Sequence, residues 1–279
     1  PCTPGTTTRP VENHSGRPSV DAPATRTPTR SPWFLREPSP VAAARLFCLP
    51  YSGCGASMYR HWPQSADGVE ICPVQPPGRE NRMREPAYST YEALADGLAE
   101  ALLPHLDRPY GLFGHCGSAL AAYETAVRLA ALGAPAPARV FVSSEVAPQD
   151  GPYGRFLELD DEELADELRR LVAELGGTLE PGLLALYLGV LRNDVEMNKR
   201  YHVAEPVRLS SPLTAIGWTE DTGIPPSLMT GWPACGATDF VLLDGGHYRF
   251  IEAPPELLTL LTGALRPAPG QGGGRPGAA

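Results

Sequence analysis

Residues 112–124 read LFGHCGSALAAYE, and two kinds of pattern meet there. An apolar run from Tyr110 to Phe113 ends at Gly114, and after Cys116 small residues open a helical period. A strand that turns into a helix around one reactive side chain is an elbow, in which the central residue sits on a strained turn while strand and helix pass closely. Its neighbours two positions away on either side must then be small; Gly114 meets that requirement fully and Ser118 nearly so. The helix starting beneath Cys116 brings partial positive charge, which favours thiolate over thiol. The N–H of Gly117 points where it can donate to a developing oxyanion. Free cysteines are also common as small buried apolar residues, so the pentapeptide alone leaves both readings open.

On either side of this stretch, short apolar runs alternate with amphipathic ones. Residues 45–50, 69–75, 110–114, 138–144, 212–217 and 238–244 read as buried strands, rich in Val, Leu, Ile and Phe and bounded by Pro, Gly or Asp. Tyr91 to Leu106, Ala119 to Leu132 and Pro254 to Leu265 carry helical periodicity. This alternation predicts an α/β fold, a mostly parallel sheet with helices on both faces. Residues 155–202 break the rhythm with two or more helices and no strand between them, which predicts a helical lid at about 150–205.

With 279 residues, 42% of them hydrophobic, the chain can bury one large core. Residues 1–40 are dominated by Pro, Thr, Ser and Arg and read as a disordered arm. Residues 266–279 read as a Gly/Pro-rich tail, leaving 41–265 as the folded domain. A formal net charge of −9 argues against nucleic acid as the ligand. The six cysteines, at 2, 48, 54, 72, 116 and 235, form no CxxC and no Cys/His pair at zinc spacing, a pattern of reduced thiols without a metal site. No apolar run approaches the ~18 residues that would span a membrane. No signal-peptide core is present either, so a cytoplasmic location is expected.

An elbow nucleophile needs a base and an acid, which in this architecture follow it in the order acid, histidine. DGGHYRF supplies His247 after the last expected strand, and GWTEDTG supplies Asp221 after the strand before it. Both loops leave C-terminal strand ends, where open α/β sheets bind ligands. Of the other histidines, His14 lies in the arm, His61, His105 and His202 lie in helical patterns, and the side chain of His115 is expected to point away from the nucleophile. Glu220, Asp244 and, in the lid, Asp194 are rival acids; Asp221 is preferred because it follows its strand by a short turn.

LFCLPYSGCGASMYRHW, VQPPGRENR, YGLFGHCGSALAAYE, SSEVAP, ELGG, LRNDVEMNKRY and GGHYRFIE, taken in this order, resemble the blocks of the type II thioesterases. These are stand-alone α/β-hydrolases that accompany nonribosomal peptide and polyketide synthases. The resemblance runs from about residue 45 to 263. It implies a substrate held as a thioester on the phosphopantetheine of an acyl or peptidyl carrier protein, with no other cofactor. It also implies Cys116 as nucleophile, Asp221 as acid, His247 as base, and the backbone N–H groups of Ser52 and Gly117 as oxyanion donors.

The departures from the family are chemical. Its elbow usually reads Gly-His-Ser-x-Gly; here it is Gly-His-Cys-Gly-Ser. Trp218 replaces a usually small residue and is expected to narrow the pocket, while Arg249 and Phe250 replace an aromatic pair. A cysteine attacking a pantetheine thioester forms another thioester, so hydrolysis stands beside transfer of the group to a second carrier thiol. A non-catalytic carrier-binding relative is a third class, against which the filled Cys/Asp/His order counts. Because a thiolate–imidazolium pair persists by itself, loss of Asp221 is expected to cost less than in a serine triad. For docking an acidic carrier, Arg79, Arg82, Arg84 and Arg249 are the candidate basic patch.

Overall fold

The computed structural model describes residues 31–266. Residues 1–30 and 267–279, most of the expected arm and tail, lie outside the described residues. The strands are β1 (Ala44–Cys48), β2 (Ser65–Ala66), β3 (Val69–Pro73), β4 (Tyr110–His115), β5 (Arg139–Ser143), β6 (Leu213–Trp218) and β7 (Thr238–Leu243). They form one sheet in the order β2-β3-β1-β4-β5-β6-β7, parallel except for the short hairpin of β2 with β3. The helices are α1 (Tyr91–Leu102), α2 (Gly117–Ala131), α3 (Asp161–Glu174), α4 (Pro181–Arg200) and α5 (Pro255–Gly263).

Parallel strands need crossovers, and the crossovers cover both faces. Phe47, Leu112, Val140 and Val142 pack with Leu98 of α1 and Leu120 of α2. Their strand neighbours Leu46, Phe113 and Phe141 pack on the opposite side with Leu257 and Leu261 of α5. A strand buried on both faces has no solvent side to encode, which is why these runs read as continuous rather than alternating. The lid falls between β5 and β6: α3 opens with a capping box from Asp160 to Glu163, and α4 begins at Pro181, where a missing N–H costs nothing. Among the described residues, no helix is long and apolar enough to cross a membrane.

Three expectations need correction. The packed region starts well before residue 41: Phe34, 3% exposed, pairs with Val74 in an antiparallel bridge and lies 5.9 Å from the Phe47 ring. β7 is an edge strand with a single neighbour, and it exposes Phe240 and Leu242 rather than burying them. The first long helix stops at Leu102 and tightens into a 3-10 turn over Leu103–His105, where Pro104 cannot donate to the helical ladder.

A fourth correction concerns Arg82, expected in a solvated docking loop. It is 7% exposed; its Nη1 donates to the Gln75 carbonyl at 2.8 Å, and Nε and Nη2 donate to Glu85 at 2.9 and 2.6 Å. Its guanidinium also lies 4.9 Å from the Trp33 ring centroid, so it joins the N-terminal segment to the loop after β3. Arg82→Ala removes these bonds and bares the buried Gln75 carbonyl, at a cost of about 2 kcal/mol. The midpoint of urea denaturation should fall accordingly, while Arg84→Ala, at an exposed position, should leave it in place; equal midpoints for both variants would return Arg82 to the surface patch.

Candidate active site

The elbow is built by a close approach that only glycine permits. A Cβ on Gly114 would lie 2.1 Å from the Ser118 carbonyl oxygen, so the strand can cross the first turn of α2 only without a side chain there. Cys116 then adopts φ 57° and ψ −144°, a positive φ that costs a non-glycine residue about 1–3 kcal/mol. The surroundings hold it. Cys116 N–H donates to the Ser143 carbonyl at 2.8 Å, and the Ser118 hydroxyl accepts from His115 N–H at 2.9 Å and donates to the His115 carbonyl at 3.0 Å. Serine therefore serves at the position where a second glycine was the family's habit, because its hydroxyl folds back onto the turn.

Asp221 and His247 stand together at the C-terminal ends of β6 and β7, on the same side of the sheet as the elbow after β4. His247 Nδ1 lies 2.7 Å from Asp221 Oδ2. The other carboxylate oxygen accepts N–H groups from Gly223 and Ile224, both at 3.0 Å, which fixes the acid's orientation. With Nδ1–H given to the carboxylate, Nε2 is the basic nitrogen, and the Tyr51 hydroxyl donates to it at 3.2 Å. Among the described residues no hydrogen bond joins Nε2 to the Cys116 sulfur, and Tyr51 occupies that nitrogen. Tyr51 is a residue that sequence reasoning missed; its only signal was an aromatic placed directly before Ser52.

Behind the pair is a second polar chain. Trp218 Nε1, which can only donate, gives its proton to the Ser143 hydroxyl at 3.1 Å, so that hydroxyl donates to His115 Nδ1 at 2.9 Å. Burial holds His115 well below the usual histidine range, and it is a neutral ring. That ring stacks on Phe250 at 3.9 Å and lies 4.7 Å from the His247 ring. The His115 side chain thus packs against the His247 ring, and Trp218 is a fully buried anchor in β6 rather than a constriction of the pocket.

The rival acids are elsewhere. Glu220 and Asp244 are exposed, and Asp194 is a buried partner of Arg79, with bonds of 2.9 Å from Nη1 and 2.8 Å from Nη2. Arg79 is therefore structural as well, contrary to its expected docking role; a loop sequence does not reveal that a lid carboxylate waits above it. Arg249 is partly exposed and paired with Glu252, and Arg84 is exposed without an ion pair among the described residues. Ser52 and Gly117 are adjacent: a Cβ on Gly117 would lie 3.4 Å from the Ser52 hydroxyl oxygen. Among the described residues no cluster of His, Cys, Asp and Glu is arranged to hold a metal ion.

The sequence signature of the thioesterase domain matches residues 44–265. The chain belongs to the thioesterase domain family. The linear gramicidin dehydrogenase LgrE of Brevibacillus parabrevis is 33% identical over 246 residues, covering 85% of this chain and 93% of that protein. The RedJ thioesterase from the prodiginine pathway of Streptomyces coelicolor is 36% identical, with a TM-score of 0.67 over 87% of this chain and 98% of its own. The type II thioesterase BorB from the borrelidin cluster is 28% identical, with a TM-score of 0.73 over 85% of this chain and 100% of its own. The α/β-hydrolase architecture expected from the sequence is the one observed.

In this thioesterase domain the ionisation of the site departs from expectation. Burial pushes the Cys116 thiol up and the charge of Glu145 adds to the rise, against which the Gly117 N–H is too weak. Cys116 is 4% exposed, so desolvation defeats the helix dipole and the resting group is a thiol. For Asp221, burial works against ionisation, but the His247 bond and the Ile224 N–H outweigh it and hold the carboxyl well below the usual range. Its stabilising contribution is thus present above the ordinary value of 3.8 and lost as pH falls. A neutral thiol needs a base, so Asp221→Asn should cost this site as much as a serine triad, about a hundredfold or more in the rate of Cys116 acylation by a pantetheine thioester. A loss below tenfold, followed by intact-protein mass, would restore the thiolate picture.

Glu145 is the other residue missed, legible only as a charge two residues past the apolar β5. It is fully buried; Oε1 accepts the Val146 N–H at 3.0 Å and Oε2 has no partner among the described residues. Burial pushes its carboxyl from 4.5 up to about 8. The folded chain therefore holds a proton that the unfolded chain releases, and stability declines as pH rises from about 4.5 to about 8. Glu145→Gln keeps the shape without the proton and should flatten that decline in thermal denaturation; an unchanged slope would place the titration on another group.

Proposed function

We propose that this chain is a type II thioesterase-like enzyme acting on acyl or aminoacyl thioesters of carrier proteins through a covalent Cys116 acyl-enzyme, with release by hydrolysis. The observation that carries the reading is Cys116 at positive φ on the elbow after β4, with His247, its Nδ1 committed to Asp221, in the loop after β7 at the same end of the sheet. His247 Nε2 takes the thiol proton as sulfur attacks the thioester carbonyl. The oxyanion accepts the Ser52 and Gly117 N–H groups. Collapse breaks the carbon–sulfur bond of the substrate, and the departing pantetheine thiolate regains the proton from His247. Water, deprotonated at Nε2, then attacks the Cys116 thioester, giving the free acid and restoring the thiol.

The sulfur nucleophile favours a second reading, in which the acceptor is another carrier thiol. The acyl-enzyme is itself a thioester, so exchange in either direction is nearly neutral in energy, whereas a serine ester would lie lower. The partner is an acyl or peptidyl carrier protein of a nonribosomal peptide or polyketide synthase, and the substrate brings its own phosphopantetheine. Of the four arginines first considered for docking it, Arg84 and Arg249 remain.

Acyl-loaded carrier is mixed with enzyme, with and without a second unloaded carrier, and all three proteins are weighed intact. Acyl mass should appear on the wild type and be absent from Cys116→Ala. Hydrolysis leaves the second carrier unloaded, whereas transfer loads it. Cys116→Ser should retain the fold, react more slowly and divert the remaining flux toward free acid. Acylation of the Ala variant at the wild-type rate would remove Cys116 from the mechanism.

A further inference from the structure

The loop that follows β1 is tied to the lid by one carboxylate. Asp194 Oδ2, in α4, accepts the Gly53 N–H at 2.8 Å and Arg79 Nη1 at 2.9 Å, while Oδ1 accepts Arg79 Nη2 at 2.8 Å. Arg79 Nη1 also donates to the Cys54 carbonyl at 2.9 Å. The Ser52–Gly53 and Cys54–Gly55 peptides are therefore held from α4, the first directly and the second through the arginine. Gly53 has φ 79°, and a Cβ there would lie 3.3 Å from the Leu191 side chain, so α4 is seated directly on this turn. Both charged residues are buried, Asp194 at 4% and Arg79 at 6% exposure.

Stability alone is a weak reason for such a pair. Two charges removed from water lose solvation that their attraction offsets only with good geometry, and an apolar pair of similar size often serves a fold equally well. The placement is specific. On one side lies a cavity of about 30 Å³ lined by Ser52, Gly117, Arg79 and Asp194; on the other, between the loop and the lid, lies one of about 230 Å³ lined by Gly53, Cys54, Arg79, Leu171 and Leu183. Arg79 lines both, and Asp194 lines the one that also borders Ser52 and Gly117.

We propose that Asp194 and Arg79 are positioning residues, which hold the Ser52 N–H in place as an oxyanion donor only while α4 is docked on the loop. The proposal rests on the role given to Ser52 above. Lifting α4 takes Asp194 from Gly53 and frees the turn, so the hole is assembled when the lid is closed over a bound acyl group and relaxed when it opens. The coupling needs no contact between Asp194 and the substrate.

A single substitution strands a buried charge and risks unfolding, so the informative variant is Asp194→Leu with Arg79→Met, checked for folding by thermal denaturation. Three rates are compared with wild type. The first is acylation of Cys116 by a small pantetheine thioester, which needs an oxyanion hole. The second is alkylation of Cys116 by iodoacetamide, which needs none. The third is hydrogen exchange of the amides at residues 52–55. The expected result is a loss of at least about tenfold in acylation, since removing one oxyanion donor outright costs about 10²–10³, with alkylation undiminished and exchange faster. Parallel loss of both reactions would show a general collapse of the site and overturn the proposal, as would acylation within twofold of wild type or unchanged exchange. If wild type is alkylated at Cys116 but never acylated, the thioesterase reading fails instead, and faster exchange in the variant would still show the tie between lid and loop.

Discussion

The passage of β4 across the start of α2 sets the position of everything else in the site. At Gly114 the strand and the helix come closer than any side chain allows, and the chain between them has no relaxed conformation available to Cys116. The strain is sustained because both sides of the turn belong to structures that cannot yield. β4 is flanked by β1 and β5 in a sheet buried on both faces, and α2 is packed against α1. The bonds from Ser143 and Ser118 close the turn locally, each contributing about 1 kcal/mol against a strain of similar size.

From that fixed point the polar groups run backward in two lines. Asp221 and His247 form the front one. Trp218, Ser143 and His115 form the one behind, which ends in a neutral ring stacked on Phe250. It sets the neutral His115 ring beside that of His247, whose tautomer is fixed by Asp221.

How much of this was legible depended on whether the cause was local. Strand runs such as VFV at 140–142 and the elbow glycine carry their reasons within a few residues, and they were found where the sequence put them. The pairing of Asp221 with His247 was legible because their loops leave strand ends in the expected order. The arginines were not: nothing near Arg79 announces a carboxylate 115 residues away, and nothing near Arg82 announces that Trp33 folds back over it. The ionisation of Cys116 failed for the same reason. A helix terminus is written beside the cysteine, whereas the burial that overrides it is assembled from the lid, the strands and Glu145 together. β7 likewise has the composition of an inner strand, but among the described residues it pairs with β6 alone and leaves Phe240 exposed.

The neutral, enclosed state of Cys116 has a consequence for the life of the protein as a molecule. Peroxide and other cellular oxidants attack the thiolate, and the first product, a sulfenic acid, leads on to irreversible forms. A nucleophile that stood ionised between turnovers would meet those oxidants for most of its existence. Here burial raises the thiol and encloses the sulfur, so little thiolate is presented to them. Resistance of this sulfur to oxidation then comes from desolvation rather than from any residue dedicated to protection.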